Sequence, residues 1–456
     1  MPIGSDFPAV RSVGKKRKHL LEENLPLLSS SREECHELNG ASFSGAVFNL
    51  STTIVGAGIM SLPATMKVLG LIPGIAMIIF FAFLTEASIE LLIRSSRAGK
   101  CVSYGGAMND SFGIAGRMLL QIFVVINNTG GLVVYFIIIG DVLSGTSSSG
   151  FHHLGVLEGW FGRHWCNGRF FVLLTTTLFI FAPLASFRRV DSLRYTSALS
   201  VALAIAFVIT TTGIAMIKLL YGSIQMPKLF PDVSNLSSVW NLFTAVPVLV
   251  MAFICHYNVH SIENELEDSS QIKPIVRTSL VLCSIVYIAT SFFGYLLFGE
   301  STLHDVLANF DTDLGIPYSA FICDVVRVSY AAHLMLVFPI IFYSLRLNLD
   351  GLLFPTAQPL STNKWRFAVI SMALLSLIFL AANFVPSVWD AFQFTGATAA
   401  VCIGYIFPAA MTLRDPHGIA SLRDKLLSVL MTVLAVLSSG VAIYSDASSL
   451  FNSRKA

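Results

Sequence analysis

Long apolar blocks alternate with short polar connections along almost the whole chain. Each block is close to the roughly 20 residues that a helix needs to cross a bilayer. Because the bilayer interior offers no partners to exposed backbone groups, each block is predicted to be a helix. The pattern predicts eleven transmembrane helices. They span residues 42–69, 71–93, 117–143, 170–187, 193–221, 239–260, 276–298, 316–349, 365–385, 388–413 and 426–444.

Polar segments flank this apolar region at both ends. Residues 1–41 contain a basic cluster, Lys15 to Lys18, and are predicted to form a disordered cytosolic tail. The first apolar block begins at residue 42, too far along the chain for a cleavable signal peptide. Residues 42–445 are predicted to form the membrane domain, and residues 446–456 a short non-cytosolic tail.

Composition excludes several classes of protein. Of 456 residues, 54% are hydrophobic and 12% are charged, whereas soluble proteins carry roughly 25% charged residues. The net charge of +2 is too small to indicate nucleic-acid binding. Among the seven cysteines, only Cys166 falls clearly in a non-cytosolic loop, so no disulfide framework is predicted.

The distribution of basic residues predicts the orientation. With the N-terminus in the cytosol, 21 Lys and Arg residues lie on the cytosolic side and 7 on the other. Cytosolic loops of membrane proteins carry such an excess. An odd number of helices then places the C-terminus on the opposite side.

Two of the predicted helices carry residues that interrupt a helix. The first has Gly56, Gly58 and Pro63 near mid-depth, and the sixth has Pro247 before the polar run 255–258. Glycine lowers helix stability and proline removes a helical hydrogen bond. Either helix alone is also explained by the general frequency of Gly and Pro in membrane helices.

The two interruptions occupy matching positions. Helices one and six run in opposite directions, as expected if helices 1–5 and 6–10 are inverted repeats with helix 11 appended. Matched breaks in inverted repeats indicate a substrate site near the midplane. The first break offers backbone N–H groups to a carboxylate, and carbonyls of the sixth accept hydrogen bonds from an ammonium group. Such a site suits a zwitterionic amino acid.

Long motifs carry a family resemblance. The segment 43–51, FSGAVFNLS, followed by 54–58, IVGAG, resembles the first-helix signature of the amino acid/auxin permease superfamily. The chain is most similar to the branch of sodium-coupled neutral amino acid transporters and their plant and fungal vacuolar relatives. Further matches are segments 251–256 and 263–266, segments 396–399 and 405–408, and Arg327 with Pro339. The resemblance covers residues 41–445.

The resemblance implies an all-α fold of the LeuT type and amino acid transport by alternating access. It also implies that the third helix faces the substrate, where Asn127 and Asn128 form a polar notch. Helix packing through small and polar residues is the alternative explanation of that notch. The predicted substrate-binding residues are Thr53, Gly56, Ala57, Gly58, Asn127, Asn128, Cys255, His256 and Tyr257.

Departures from the sodium-coupled branch concern the ion. Thr52 stands where those relatives carry Asn, and Met335 and Val337 stand where they carry a hydroxyl. Sodium prefers oxygen ligands, and only Thr52 keeps one. Proton coupling is therefore favoured, with sodium symport as the alternative. The predicted ion-coupling residues are Thr52, His333 and His256, because histidine titrates near neutrality.

The tail contains an acidic dileucine pattern, Glu23 with Leu27 and Leu28, which sorting adaptors recognise. With the vacuolar relatives it favours the vacuolar membrane over the plasma membrane or another endomembrane. The other predicted partners are the bilayer and the amino acid.

Rival functions find less support. The chain shows no catalytic motif of the Gly-x-Ser-x-Gly, His-Glu-x-x-His or phosphate-loop type, so it is not predicted to be an enzyme. No cofactor or metal is predicted, only a coupling proton. A channel would repeat a charged or carbonyl-lined filter. An amino acid sensor stays an alternative, which deletion of the tail would distinguish from a transporter of neutral or diverse L-amino acids.

Overall fold

The computed structural model describes residues 40–148, 151–224, 226–384 and 395–453. The basic cluster and the dileucine residues Glu23, Leu27 and Leu28 lie outside the described residues. The described chain is almost entirely helical, and its one small sheet is an antiparallel hairpin of β1 (Thr146–Ser148) and β2 (Phe151–His153). The helices are α1 (Phe43–Ile54), α2 (Leu62–Leu69), α3 (Leu71–Ala98), α4 (Tyr104–Ser144), α5 (Val156–Phe161), α6 (Arg169–Ala185), α7 (Arg194–Leu220), α8 (Leu236–Phe253), α9 (His256–Glu263), α10 (Ile272–Phe298), α11 (Ser319–Leu353), α12 (Lys364–Phe384), α13 (Gly396–Arg414) and α14 (Leu422–Ser453).

The prediction of a polytopic helical membrane protein is confirmed. Within the described residues, nine helices are long and apolar enough to cross a membrane, and the bent pair α1 and α2 makes a tenth. The fourth predicted helix corresponds to α6, which is apolar but shorter than the others. The count of eleven therefore stays a prediction.

Large apolar side chains cover the outside of the molecule. Phe83, Phe179 and Leu220 are each more than 60% exposed. The interior instead buries polar side chains, including Asn128, His333 and Ser200. This distribution suits a protein surrounded by acyl chains, because polar groups inside a bilayer need partners within the bundle.

The predicted break in the first helix is present and is sharp. Helix α1 ends at Ile54, a 3₁₀ turn covers Ala57–Ser61, and α2 follows at an angle of 48°. Pro63 is the second residue of α2, where a helix requires no backbone donor. The proline therefore starts the second half-helix and does not itself cause the break.

The sixth helix breaks at one point only. Helix α8 ends at Phe253 and α9 begins at His256, so Ile254 and Cys255 form the interruption. Pro247 lies inside α8 and leaves it continuous. The polar run is helical from His256 onward, so the break lies at its first residue, Cys255, and at Ile254 before it.

Other boundaries differ from the sequence prediction for local reasons. Helix α4 begins at Tyr104, well before residue 117, and is kinked at Gly113, which has φ +69°. Only glycine adopts that conformation readily, so the kink separates a leading helix from the transmembrane part. Helix α14 continues to Ser453, into the segment predicted as a tail.

Candidate functional site

A small cavity lies where the breaks in the first and sixth helices meet. Its volume is about 30 Å³, which is room for one or two water molecules. Helices α4 and α11 complete its walls. The lining residues are Thr53, Ile54, Gly56, Ala57, Gly58, Asn127, Asn128, Gly131, Tyr135, Met251, Ile254, Tyr257 and Ile341.

Seven of the nine residues predicted to bind substrate line this cavity. They are Thr53, Gly56, Ala57, Gly58, Asn127, Asn128 and Tyr257. Cys255 and His256 do not line it. They are buried beside it, because α9 begins at His256 and directs that side chain toward α3 and α13.

The two glycines of the first break are packed against other helices. A Cβ atom on Gly56 would collide with the hydroxyl of Tyr135. One on Gly58 would lie 3.1 Å from the Cα atom of Ala252, in α8. Gly56 therefore requires glycine because a side chain approaches its backbone closely. At Gly58 a Cβ atom would fit only if α8 moved by a few tenths of an ångström.

Three tyrosines bind the exposed backbone of the broken segments. Tyr330 donates to the carbonyl of Gly56 at 2.7 Å. The hydroxyl of Tyr287 lies 2.6 Å from the carbonyl of Ile54 and 2.7 Å from that of Ala252. The backbone of Ala57 bonds the hydroxyl of Tyr135.

These tyrosines supply the partners that unwound backbone needs inside a bilayer. Sequence reasoning missed them. A signal was present, since a tyrosine in the middle of an apolar helix must find a partner for its hydroxyl. The sequence alone does not say which backbone group that partner is.

Hydrogen bonds connect the two broken helices directly. The Asn258 amide donates to the hydroxyl of Thr53 at 3.1 Å. Thr53 in turn donates to the carbonyl of Asn49 at 3.0 Å. Because the proton of its hydroxyl is already engaged, Thr53 connects α1 to α9 and has little left to offer a substrate.

Asn127 and Asn128 behave differently. Asn127 Nδ2 donates to Asn128 Oδ1 at 3.0 Å. Both side chains are almost completely buried, and Asn127 Oδ1 and Asn128 Nδ2 have no hydrogen-bond partner within the described part of the chain. Leaving a buried polar group unpaired costs about 1–3 kcal/mol. A ligand that bonds these two atoms would therefore be stabilised.

His256 braces three helices. Its Nε2 lies 3.1 Å from the hydroxyl of Ser88, which itself donates to the carbonyl of Gly404. These contacts favour a structural role for His256, which joins the start of α9 to α3 and α13. Because His256 directly precedes Tyr257, which lines the cavity, its replacement can affect transport indirectly.

His333 lies behind the first break. Its Nδ1 is 2.8 Å from the carbonyl of Ser200 in α7, so Nδ1 carries the proton and donates it to that carbonyl. Nε2 has no hydrogen bond among the described residues, although the carbonyl of Val55, at the break, faces the imidazole. The ring also lies 5.0 Å from that of Tyr330.

Thr52, the third residue predicted to couple an ion, takes part in helix packing. The hydroxyl of Thr52 donates to the carbonyl of Ser197 at 3.0 Å. Its oxygen is fully buried between α1 and α7. Met335 and Val337 lie on α11 and supply no oxygen, as the sequence requires.

Contacts on one face hold α1 in place. The backbone N–H of Ala41 donates to the carbonyl of Glu265 at 3.1 Å. The Glu265 carboxylate accepts hydrogen bonds from the backbone N–H groups of Val190 and Asp191, and Asn49 donates to the carbonyl of Val190 at 3.1 Å. Burial raises the pKa of Glu265. These contacts join the start of α1 to the segments around Val190 and Glu265, on the face predicted to be cytosolic.

A second, larger cavity of about 830 Å³ opens near the start of α11. Asp324 and Arg327 both line it. Asp324 accepts from Trp160 Nε1 at 2.8 Å, and Arg327 donates to the carbonyl of Leu154 at 2.8 Å.

Comparison with known proteins agrees with this geometry. Residues 39–449 match the family model described as "Transmembrane amino acid transporter protein". The chain is 66% identical over 425 residues to the Amino acid transporter AVT6A of Arabidopsis thaliana, covering 92% of each chain. It is 62% identical over 440 residues to AVT6B of the same plant, covering 95% of this chain and 96% of that one.

Solved structures show the same fold. The structure of MhsT in complex with L-phenylalanine has a TM-score of 0.57 at 13% identity, covering 89% of this chain and 99% of that chain. A manganese transporter of Eremococcus coleocola has a TM-score of 0.56 at 11% identity, covering 94% and 90%. Among the described residues here, no three His, Cys, Asp or Glu side chains are grouped to hold a metal ion.

Proposed function

Because the chain belongs to the transmembrane amino acid transporter family, we propose that it carries neutral L-amino acids by alternating access with a proton as the coupling ion. One observation supports the first part. The cavity lies between the breaks in the first and sixth helices, near Gly56–Gly58 and near Ile254. Breaks of this kind in inverted repeats bind substrate through the ends of the half-helices, whose backbone groups suit a carboxylate and an ammonium group.

The cavity itself supports the proposal that the site changes shape. At about 30 Å³ it is smaller than any amino acid. Substrate entry therefore requires the broken helices to move relative to α4 and α11. The contacts of Ala41 and Glu265 hold the start of α1, so their release would accompany opening toward that side.

His333 supports the proposal of a proton. It is buried next to the break in α1 and offers one ring nitrogen without a hydrogen bond among the described residues. A coupling ion acts only by binding one state of the transporter better than another. A proton on Nε2 would create a donor facing the carbonyl of Val55, which belongs to the moving segment.

Uptake in liposomes containing the full-length protein tests both parts. We expect labelled neutral amino acids to accumulate when a pH gradient is imposed, and a protonophore to abolish that accumulation. Replacing all sodium by choline should change nothing, because Met335 and Val337 provide no ligands for a hard cation. Liposomes without protein are the control.

Two results would contradict the proposal at different levels. Uptake that needs sodium and ignores pH would exclude the proton as coupling ion and restore the sodium symporter alternative. Binding of amino acids without any flux would favour the sensor alternative.

We further propose the vacuolar membrane as the location, with the N-terminus in the cytosol. The dileucine motif at Glu23, Leu27 and Leu28 and the excess of basic residues on the N-terminal side support this assignment. A sorting adaptor is the partner that the motif would recruit.

Cysteine labelling in isolated intact vacuoles tests location and orientation together. Ser234 and Ser361 are both exposed and lie in loops that follow odd and even numbers of predicted helices. With Cys35, Cys101 and Cys166 replaced by serine, an impermeant reagent should label the Ser361→Cys protein directly. It should label the Ser234→Cys protein only after permeabilisation. Labelling of both without permeabilisation would contradict the topology.

A further inference from the structure

The side-chain amides of Asn127 and Asn128 in α4, here called the amide pair, present a defined pattern of donors and acceptors to the cavity. Each asparagine carries one oxygen acceptor and one NH₂ donor. The bond between Asn127 and Asn128 occupies one donor and one acceptor, and leaves Asn127 Oδ1 and Asn128 Nδ2. If both amides were turned over, Asn127 would present the donor and Asn128 the acceptor. Either arrangement leaves one donor and one acceptor.

Burial makes this pattern selective. Asn127 is 1% exposed and Asn128 0%, and both line the cavity between the broken helices. Other lining side chains such as Met251, Ile254 and Ile341 are apolar, and the Thr53 hydroxyl already donates to Asn49. Tyr135 and Tyr257 also line the cavity, and the hydroxyl of Tyr135 is bonded by the backbone of Ala57. The amide pair is the part of the lining whose buried oxygen and nitrogen have no hydrogen-bond partner among the described residues.

We propose that Asn127 and Asn128 bind the side chain of the substrate and select one that ends in a primary carboxamide, as in glutamine or asparagine. This inference rests on the proposed function and specifies its substrate. A carboxamide offers an N–H donor to the free oxygen and a C=O acceptor to the free N–H. The amide of the substrate then bonds both asparagines, and the free oxygen and nitrogen of the pair each gain a hydrogen-bond partner.

Other side chains match the pattern less well. A carboxylate offers acceptors only, so the free oxygen of the pair would face a negative charge. Lysine and arginine offer donors only, and aliphatic side chains offer neither. A hydroxyl supplies both functions from one atom, which places serine and threonine second. A site built around buried hydrogen-bonding groups discriminates strongly against substrates that leave those groups unpaired.

Competition against labelled glutamine in liposomes containing the full-length protein tests the proposal. Glutamine, glutamate and norleucine are similar in length and differ in the chemistry of the side-chain end. Unlabelled glutamine should compete at least about tenfold better than either of the others, since each leaves buried groups of the pair unpaired. Equal competition by norleucine would overturn the inference and leave amino acid transport intact.

Variants of Asn127 and Asn128 test whether the preference for glutamine arises from this pair. Asn127→Leu and Asn128→Leu conserve volume and remove the free acceptor or donor. Each should raise the KM for glutamine about tenfold and leave the KM for norleucine unchanged or lower. The control is Asn383→Leu in α12, whose amide bonds the carbonyl of Phe379 away from the cavity. Equal increases for both substrates would make the pair a packing element and overturn the role in recognition.

The wild-type competition experiment remains decisive if a variant fails to fold. If the wild-type protein transports no amino acid at all, the proposed function itself fails. If it transports amino acids without preference for carboxamides, only the present inference fails.

Discussion

Replacing Gly56 by valine is expected to abolish transport while the protein still inserts into the membrane. The backbone of Gly56 is extended, at φ −124° and ψ −150°, which any residue adopts. The requirement for glycine comes instead from contact. A Cβ atom would collide with the hydroxyl of Tyr135. In addition, Tyr330 donates a hydrogen bond to the carbonyl of Gly56.

The collision displaces the segment that forms the cavity. Moving Tyr135 away would break its bond to the backbone of Ala57, and moving Gly56 would break its bond to Tyr330. A displacement of the order of 1 Å at a binding site can lower a rate by about 10²-fold. Initial rates of uptake at equal amounts of reconstituted protein measure the effect.

Gly213→Val is the matched control, because a Cβ atom there meets nothing within 4 Å. Its uptake should equal that of the wild-type protein. A second variant tests the mechanism of the loss. Gly56→Ala should be defective, and adding Tyr135→Phe should restore part of the rate by removing the colliding hydroxyl. Wild-type transport by Gly56→Val would remove the segment from the site.

Replacing His333 by glutamine is expected to separate transport from proton coupling. The side chain is fully buried, with Nδ1–H bonded to the carbonyl of Ser200. Glutamine can still donate a hydrogen bond toward Ser200 but cannot take up a proton. The variant should therefore exchange amino acids across the membrane without accumulating them against a gradient.

The reason lies in the helices that the ring connects. Ser200 is on α7, His333 on α11, and Val55 at the break in α1. Protonation of Nε2 would add a hydrogen bond between α11 and the break, and deprotonation would remove it. The imidazole contacts the ring of Tyr330 and the hydroxyl of Ser200, and its hydrogen bonds among the described residues involve no carboxylate.

Accumulation driven by a pH gradient and counterflow at uniform pH are the two measurements. His417→Gln is a control, because that histidine bonds Asp110 in a partly exposed position far along the chain from the site. His256→Gln is informative as well. Since His256 bridges Ser88 and the α13 segment, its loss should slow counterflow and preserve accumulation. If the His333→Gln protein still accumulates amino acids, His333 is not the coupling residue, and His256 becomes the candidate.

Local properties of the chain predicted much of this molecule. Helices form where about 20 apolar residues follow one another, and interruptions form where Gly56 and Gly58 fall inside such a block, because both effects act within a few residues. The prediction that helices one and six run in opposite directions followed from counting the helices between them. The family resemblance added the expectation that α4 faces the substrate, and Asn127 and Asn128 do line the cavity.

Tertiary structure decided what distant residues do to one another. Only packing shows that Tyr287 and Tyr330 bind the first break, since more than 200 residues separate the partners. It also turned His256 from the cavity toward Ser88, because the helix restarts at that residue. The orientation of a side chain about its helix depends on where the helix begins and which neighbours meet it. Sequence spacing determines the helices, and the packing of one helix against another determines which polar groups stay free for a substrate or a proton.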